Sequence, residues 1–196
     1  VDFNAEYGKI VPAAHPEDHN LDLVLLVGLG KSAEITKSRI RKIGGKLAAY
    51  LKRIQVEEIS LIVAGIENSP RNVASVAIDL VLGLRLRDYR FTKYITDEKR
   101  TAKRLKFVDV RLEDSELAEE LYQDSSASIE NSIFARDLIS EPGNILTTDK
   151  FAKICEGLSD VGIKVDIFDE KNMTKLGMNS LLAVGQGSEM ESKMAV

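Results

Sequence analysis

The sequence of 196 residues has little of several features that define whole classes of protein. Its single cysteine, Cys155, excludes a disulfide framework or a zinc knot and fits a reducing compartment. No apolar run approaches the roughly 18 residues that a membrane-spanning helix needs. The 27 basic residues do not outnumber the 31 acidic ones, which argues against nucleic acid as the main partner. Because the first residues also lack the layout of a signal peptide, we expect a soluble, cytoplasmic protein.

The residues that are present are typical of a globular α/β protein. Hydrophobic residues make up 44% of the chain and charged residues 30%, enough to bury a core. Apolar runs predict strands at residues 21–27, 59–64 and 105–110, and helical periodicity predicts helices at 33–54, 72–87 and 114–139. Gly44 and Gly45 interrupt the first helix, where each glycine costs up to about 1 kcal/mol. This alternation predicts a parallel or mixed sheet with helices on both faces.

A break at residues 140–144, which includes Pro142, gives the best domain boundary. Beyond it we predict a helix from Thr147 to about Leu158, an alternating strand at 163–168, a short helix at 169–176 and a strand at 180–184. We expect the segment after the break to be only part of a second α/β domain, because it is too short for an ordinary one.

Two patterns after the first predicted strand imitate nucleotide-binding motifs. Residues 28–33 (GLGKSA) match a relaxed G-x-G-x-x-A fingerprint, in which a pyrophosphate would bind to free N–H groups at a helix start. No acidic residue lies about 20 positions further on to bind the ribose. Gly30, Lys31 and Ser32 also resemble the end of a phosphate-binding loop, but Leu25 stands where its first glycine belongs. A tight turn between strand and helix is the favoured interpretation.

Other candidate residues have simple structural interpretations. His15 and His19 are four residues apart, as in some zinc sites, but the neighbouring prolines favour an exposed loop. The acidic cluster of Asp166, Asp169 and Glu170 is typical of a helix start. We interpret Cys155 as a buried structural thiol. The basic residues at 99–106 predict a solvated surface rather than a phosphate site.

Two segments resemble the leucyl (cytosol) aminopeptidase family. Residues 135–152 (ARDLISEPGNILTTDKFA) resemble the family's junction between domains, and residues 176–188 (LGMNSLLAVGQGS) resemble the glycine-rich segment that follows it. Both occur in the family's order and at about its separation. Residues 27–31 (VGLGK) are also similar to the family's early strand and turn.

The resemblance implies a two-domain α/β enzyme. Residues 1–113 would form a macrodomain-like α/β domain, residues 114–141 a long connecting helix, and residues 142–196 the first βαβ part of an α/β metallopeptidase domain. The family releases N-terminal amino acids, often leucine, from peptides. It uses two divalent metal ions, commonly zinc or manganese, and forms hexamers. Such ions lower the pKa of a bridging water and polarise the scissile carbonyl.

The family's metal ligands lie in a segment like V-G-K-G-x-x-F-D, a further aspartate and a segment like N-T-D-A-E-G-R. None of these segments occurs in the 196 residues. We therefore predict no catalytic, metal-binding or cofactor-binding residue here, and no hydrolysis by this chain alone. The alternative is a non-catalytic module that organises oligomers or binds a nucleotide-like ligand through Gly28 and Gly30. Peptide substrates and further copies of the chain are the expected partners.

Overall fold

The computed structural model describes residues 3–13, 22–63, 66, 68–97 and 104–196. The chain divides into two compact units, Val1–Ala135 and Arg136–Val196, which we call unit 1 and unit 2. Among the described residues, every helix is too short or too polar to cross a membrane.

The strands of unit 1 form two pairs. β1 (Ile10–Ala13) runs antiparallel to β2 (Val24–Val27), and β3 (Glu58–Ile62) runs parallel to β4 (Phe107–Arg111). The three strands predicted from the sequence are therefore present as β2, β3 and β4, with ends that differ by a few residues. The pattern of residues 10–13 did not predict β1, because the proline at its centre weakens a strand pattern.

The helices of unit 1 begin where polar side chains accept bonds from free N–H groups. Thr36 caps α1 (Lys37–Arg53), Asn72 caps α2 (Val73–Asp88), and Asp114 Oδ1 accepts from Leu117 N at the start of α3 (Ser115–Ser140). The predicted helix at 33–54 starts later than expected, because residues Ser32–Glu34 form a separate 3-10 turn. The predicted helices at 72–87 and 114–139 are confirmed.

Gly44 does not interrupt α1, because it lies where α1 and α2 approach most closely. A side-chain carbon at Gly44 would overlap the carbonyl oxygen of Leu80 on α2. A side-chain carbon at Gly83 on α2 would overlap the carbonyl oxygen of Arg41 on α1. The intrinsic cost of glycine in a helix is therefore offset by the close packing of the two helices that glycine permits.

Helix α2 is buried on all sides rather than along one face. Val76, Ala77 and Leu80 pack with α1 residues such as Ile40 and Ile43. Its opposite side packs against α3 through a second cluster, made of Ala74, Ile78, Leu82, Ala118 and Ile129. The predicted apolar face of α2 is thus correct but incomplete, since periodicity within one helix does not show how many helices surround it.

The expectation of helices on both faces of the sheet is wrong for the described part of β3 and β4. Leu61 and Val110 pack against the helical core, while Ile62 and Phe107 on the opposite face are exposed. The alternating pattern of burial along β3 shows one covered face and one exposed face.

Unit 2 is made of short elements. After the last turn of α3 come α4 (Thr148–Glu156), a 3-10 turn (Gly157–Val161), β5 (Ile167–Phe168), α5 (Glu170–Lys175), α6 (Asn179–Gly185) and β6 (Met194–Ala195). Thr147 caps α4 as predicted, since its hydroxyl accepts from Lys150 N.

Three expectations for unit 2 need correction. The segment 180–184 is helical within α6, because an apolar run this short does not distinguish a strand from a helix. Only Ile167–Phe168 of the predicted strand at 163–168 is a strand in the structure, although the backbone of Asp166 also exchanges hydrogen bonds with Val196. β5 runs antiparallel to β6, so the two strands do not form a parallel βαβ unit.

Candidate functional site

The glycine-rich turn after β2 is occupied by the protein's own backbone. Gly28 N donates to Lys9 O at 2.8 Å, Gly30 N donates to Ala5 O at 3.0 Å, and Gly8 N donates to Gly28 O at 2.7 Å. A side-chain carbon at Gly28 would overlap the carbonyl oxygen of Glu6, and Gly30 has a positive φ of 82°. The N–H groups of Gly28 and Gly30 are therefore already bonded to the protein's own backbone. These bonds support the tight-turn interpretation of this segment.

The two histidines and most of the basic segment cannot be placed. His15 and His19 lie outside the described residues, as do residues 98–103. The described part of the basic segment forms ion pairs: Arg104 lies 3.8 Å from Asp88, and Lys106 lies 3.1 Å from Glu57. Exposed, paired lysine and arginine side chains are typical of a solvated surface.

The acidic residues of unit 2 have separate structural roles. Asp169 Oδ1 accepts from Asn172 N at 2.7 Å and caps α5, which confirms the capping interpretation for that residue. Glu170 Oε1 instead accepts from Ser192 N at 2.9 Å, and Asp166 lies 3.2 Å from Lys164 Nζ. The carboxylates of Asp166, Asp169 and Glu170 therefore bind separate partners and do not converge on a common site.

Lys193 is surrounded by carboxylates near the end of unit 2. A hydrogen bond to Glu191 raises the pKa of Lys193 above its ordinary value of 10.5, and the charges of Glu191, Asp149 and Asp169 add to this effect. The Lys193–Asp149 ion pair of 3.7 Å connects the chain near β6 to the first turn of α4. This contact joins two segments of unit 2 that are distant in sequence, and nothing in the sequence pattern had indicated it.

Cys155 lies on α4 and is half-buried, so the prediction of a buried structural thiol is only partly correct. It follows Ala152, the one buried residue of that helix, by three positions. A half-buried thiol on an amphipathic helix is an ordinary packing residue.

Unit 1 contains a buried carboxylate that was not predicted from the sequence. Asp79 on α2 is only 3% exposed. Its Oδ1 accepts from Arg41 Nε at 2.9 Å, and its Oδ2 accepts from Arg71 Nη2 at 2.7 Å. The cluster thus joins α1, α2 and the loop that precedes α2. One signal was available, because an aspartate between Ile78 and Leu80 in an apolar run needs a charged partner when buried.

Unit 1 also contains a cavity of about 570 Å³ between α2, β4 and the first half of α3. Its size falls within the range of small-molecule sites, roughly 300–1,000 Å³. Its walls include apolar side chains such as Val108 and Val110. The charged groups at its edge are already engaged: Arg85 donates to Tyr122 Oη at 2.7 Å, and Asp88 pairs with Arg104. The described lining residues therefore form no converging set of free polar groups.

The described residues do not fit a metal site. Within residues 3–13, 22–63, 66, 68–97 and 104–196, no three histidine, cysteine, aspartate or glutamate side chains group closely enough to hold an ion. Two-metal chemistry cannot be assigned to the groups found there.

Comparison with protein families gives two matches in succession. Residues 1–98 match the model of the N-terminal domain of the cytosol aminopeptidase family. Residues 133–196 match the model of the catalytic domain of the same family.

Curated relatives match the chain along nearly its whole length. A probable cytosol aminopeptidase of Chelativorans sp. (strain BNC1) is 34% identical over 197 residues, which cover 100% of this chain and 39% of the relative. A probable cytosol aminopeptidase of Clostridium perfringens (strain 13 / Type A) is 32% identical over 203 residues, which cover 99% of this chain and 40% of the relative. The chain thus spans about two fifths of the length of these relatives.

Solved structures share the mixed α/β fold. The bottromycin maturation enzyme BotP in complex with Mn superposes with a TM-score of 0.73 at 25% identity, over 96% of this chain and 38% of that one. A tomato leucine aminopeptidase mutant superposes with a TM-score of 0.76 over 98% of this chain and 38% of that one. At 21% identity, this second likeness supports the fold alone.

Proposed function

Because the chain belongs to the cytosol aminopeptidase family, we propose that it is the N-terminal part of a leucyl aminopeptidase, which releases N-terminal amino acids from peptides. The observation that carries this proposal is the succession of two models of one family, N-terminal domain first and catalytic domain second, along a single chain. Relatives named as aminopeptidases that align with the whole chain support it.

We propose that the intact enzyme uses two divalent metal ions, zinc or manganese. The structural similarity to BotP, which was solved in complex with Mn, supports this assignment. The ions would bind to family segments that the 196 residues do not contain, so we propose that no residue of this chain is a metal ligand or a catalytic group. We also propose that the intact enzyme forms a hexamer and is located in the cytoplasm.

We further propose a macrodomain-like domain at residues 1–113, a connecting helix at 114–141 and the start of the peptidase domain at 142–196. The position of α3 at Ser115–Ser140 and the start of the catalytic match at residue 133 support this division.

Two assays with leucyl p-nitroanilide and added Mn²⁺ or Zn²⁺ test the function. The 196-residue chain alone should show no turnover. A chimera that continues this chain with the rest of the Chelativorans relative should show turnover that a chelator abolishes. A soluble, folded chimera without activity would count against the proposed function. Turnover that copurifies with the monomeric 196-residue chain would contradict the absence of catalytic residues.

Calorimetry tests the alternative of a nucleotide-like ligand. Titration of the chain with ADP-ribose or NAD should give no heat at millimolar ligand, because the N–H groups of Gly28 and Gly30 already donate to Lys9 and Ala5. Saturable heat that is lost on substitution in this turn would favour the binding module.

A further inference from the structure

The cavity between α2, β4 and the first half of α3 has apolar walls and a single polar end. Its volume of about 570 Å³ is large enough for a small organic molecule. Among its wall residues, Ile78, Val81 and Ala118 are only 7%, 8% and 7% exposed, so the surrounding core fixes their positions. Val108 on β4 lines the cavity from the sheet side. The cavity is therefore preformed, and its walls favour an apolar molecule.

The polar end of the cavity is formed by Arg85 on α2 and Tyr122 on α3. Arg85 Nη1 donates to Tyr122 Oη at 2.7 Å, and the guanidinium carbon lies 5.8 Å from the centre of the Tyr122 ring. Because the phenol oxygen accepts this bond, its own proton is left to donate, and no acceptor for it lies among the described residues. The cavity thus ends in a hydroxyl donor beside a permanent positive charge.

The bond to Tyr122 does not exhaust Arg85, because a guanidinium carries five N–H donors. Its carboxylate neighbour, Glu130, lies 3.6 Å from Arg85 Nη2, and the Glu130 side chain is 63% exposed. A solvent-exposed carboxylate at this distance compensates the charge of Arg85 only weakly. The second cation of the described lining, Lys106, lies closer to its partner, at 3.1 Å from Glu57. Arg85 therefore retains donors for an added anion.

We propose that this cavity binds a small amphipathic monocarboxylate. Its carboxylate accepts from Arg85 and Tyr122, and its apolar body lies between Val108 on β4 and Ala118 on α3. A planar carboxylate matches the fork of donors that a guanidinium presents, and bonds between two charged groups are stronger than neutral ones.

The charges of the lining favour a ligand with one negative charge. Two acidic residues, Asp88 and Glu119, balance the two basic ones, so the cavity carries no large positive potential. A phosphate ester would bring a second negative charge close to these carboxylates. An uncharged alcohol would lack the ion pair with Arg85. The chemical class that fits is an apolar chain or ring with one carboxylate.

Isothermal titration calorimetry of the 196-residue chain with octanoate tests the proposal. One octanoate should bind per chain with a saturable heat. 1-Octanol has the same apolar chain without the charge, and it should bind at least roughly tenfold more weakly, because the charge-assisted bonds to Arg85 are lost. Octyl phosphate should also bind more weakly than octanoate, because of its second negative charge.

Substitutions at the polar end locate the bound octanoate. Arg85→Met should weaken binding by roughly 30-fold, and Tyr122→Phe by roughly fivefold. The matched controls come from another arginine–tyrosine pair of unit 1, in which Arg53 lies 4.8 Å from the ring of Tyr50, outside the cavity lining. Arg53→Met and Tyr50→Phe should leave the affinity for octanoate unchanged.

A substitution in the apolar wall provides an independent test. Val108→Phe fills the cavity from β4 and should abolish binding while Arg85 and Tyr122 are intact. Chemical denaturation shows whether each variant is folded. If Arg85→Met does not fold, Tyr122→Phe decides, since it removes a single oxygen atom.

The proposal is overturned if octanoate gives no saturable heat, or if 1-octanol binds as tightly as octanoate. It is also overturned if the folded variants at Arg85 and Tyr122 keep the original affinity. Equal weakening by Arg53→Met would mean that octanoate binds to another part of the surface.

Discussion

Unit 1 and unit 2 place their glycines in opposite environments. In unit 1, side-chain carbons added at Gly28, Gly44 or Gly83 would overlap backbone atoms of a neighbouring segment. In unit 2, nothing lies within 4 Å of such a carbon at most glycine positions, namely Gly143, Gly157, Gly162, Gly177 and Gly187. Glycine permits close packing in unit 1, whereas most glycines of unit 2 lie where an added side-chain carbon would meet no other part of the chain.

The helices show the same contrast. Helix α2 of unit 1 is enclosed by neighbours, so that even the carboxylate of Asp79 is buried and paired. Helix α6 of unit 2 has no buried residue. Among the described residues, unit 1 thus buries an extended apolar core, whereas Ala152 and Met173 are the buried apolar residues of unit 2. Matched substitutions in the two units test this contrast.

The largest loss of stability is expected for a substitution where α1 and α2 cross. Gly83→Val should destabilise unit 1 by about 4 kcal/mol or more, because the added carbons would overlap the backbone of Arg41. Chemical denaturation followed by circular dichroism measures the change. Retention of the original midpoint would show that the two helices do not approach as closely as described.

Gly157→Ala is the matched substitution in unit 2. Gly157 has a helical φ of −60°, and nothing lies within 4 Å of an added side-chain carbon. The substitution should be neutral or stabilise by about 0.5 kcal/mol, because alanine reduces the entropy of the unfolded chain. A loss of stability similar to that of Gly83→Val would remove the distinction between the units.

The second prediction compares a buried carboxylate with an exposed one. Asp79→Asn should cost about 3 kcal/mol, since Arg41 and Arg71 would lose their charged partner in a buried site. Asp166→Asn in unit 2 should cost less than about 1 kcal/mol, because its ion pair with Lys164 is exposed. Denaturation midpoints of both variants are measured in low and in high salt. High salt should reduce the loss of stability only for Asp166→Asn, whose ion pair is exposed.

Most of unit 1 could be predicted from the sequence because its signals are local. Periodic apolar residues and the caps Asn72 and Asp114 mark α2 and α3 without any knowledge of the tertiary fold. The close approach at Gly44 and Gly83 could not be predicted, since it depends on two helices that are distant in sequence.

In unit 2 the sequence signals were ambiguous for a physical reason. The apolar run at residues 180–184 is typical of a buried strand, but it forms α6 with Val184 exposed. A short apolar run of this kind fits a strand or a helix segment equally well, so the pattern alone could not distinguish the two. The resemblance in residues 135–152 and 176–188, rather than periodicity, led to the correct family.

The third prediction concerns Gly185, the one glycine of unit 2 at which an added carbon meets a neighbour. That carbon would overlap Ser192 Oγ, so Gly185→Ala should destabilise unit 2 by about 1 kcal/mol. Ser192→Ala removes the oxygen, and the double variant should recover most of the loss. A double-mutant cycle measures the coupling, and additive effects would contradict the contact.

The smallest effect on stability is expected from the titration of Lys193. Its hydrogen bond to Glu191 raises its pKa above 10.5, so the charged form is favoured by folding. The resulting stabilisation should be fully present below pH 10.5 and should be lost as the pH rises through the higher pKa of the folded state. NMR titration of the Lys193 side chain in the unsubstituted chain and in Glu191→Gln provides the measurement. The midpoint should fall in the variant, because the first cause of the shift is removed while Asp149 and Asp169 still contribute. An unchanged midpoint would mean that these two carboxylates, rather than Glu191, hold Lys193 in place within unit 2.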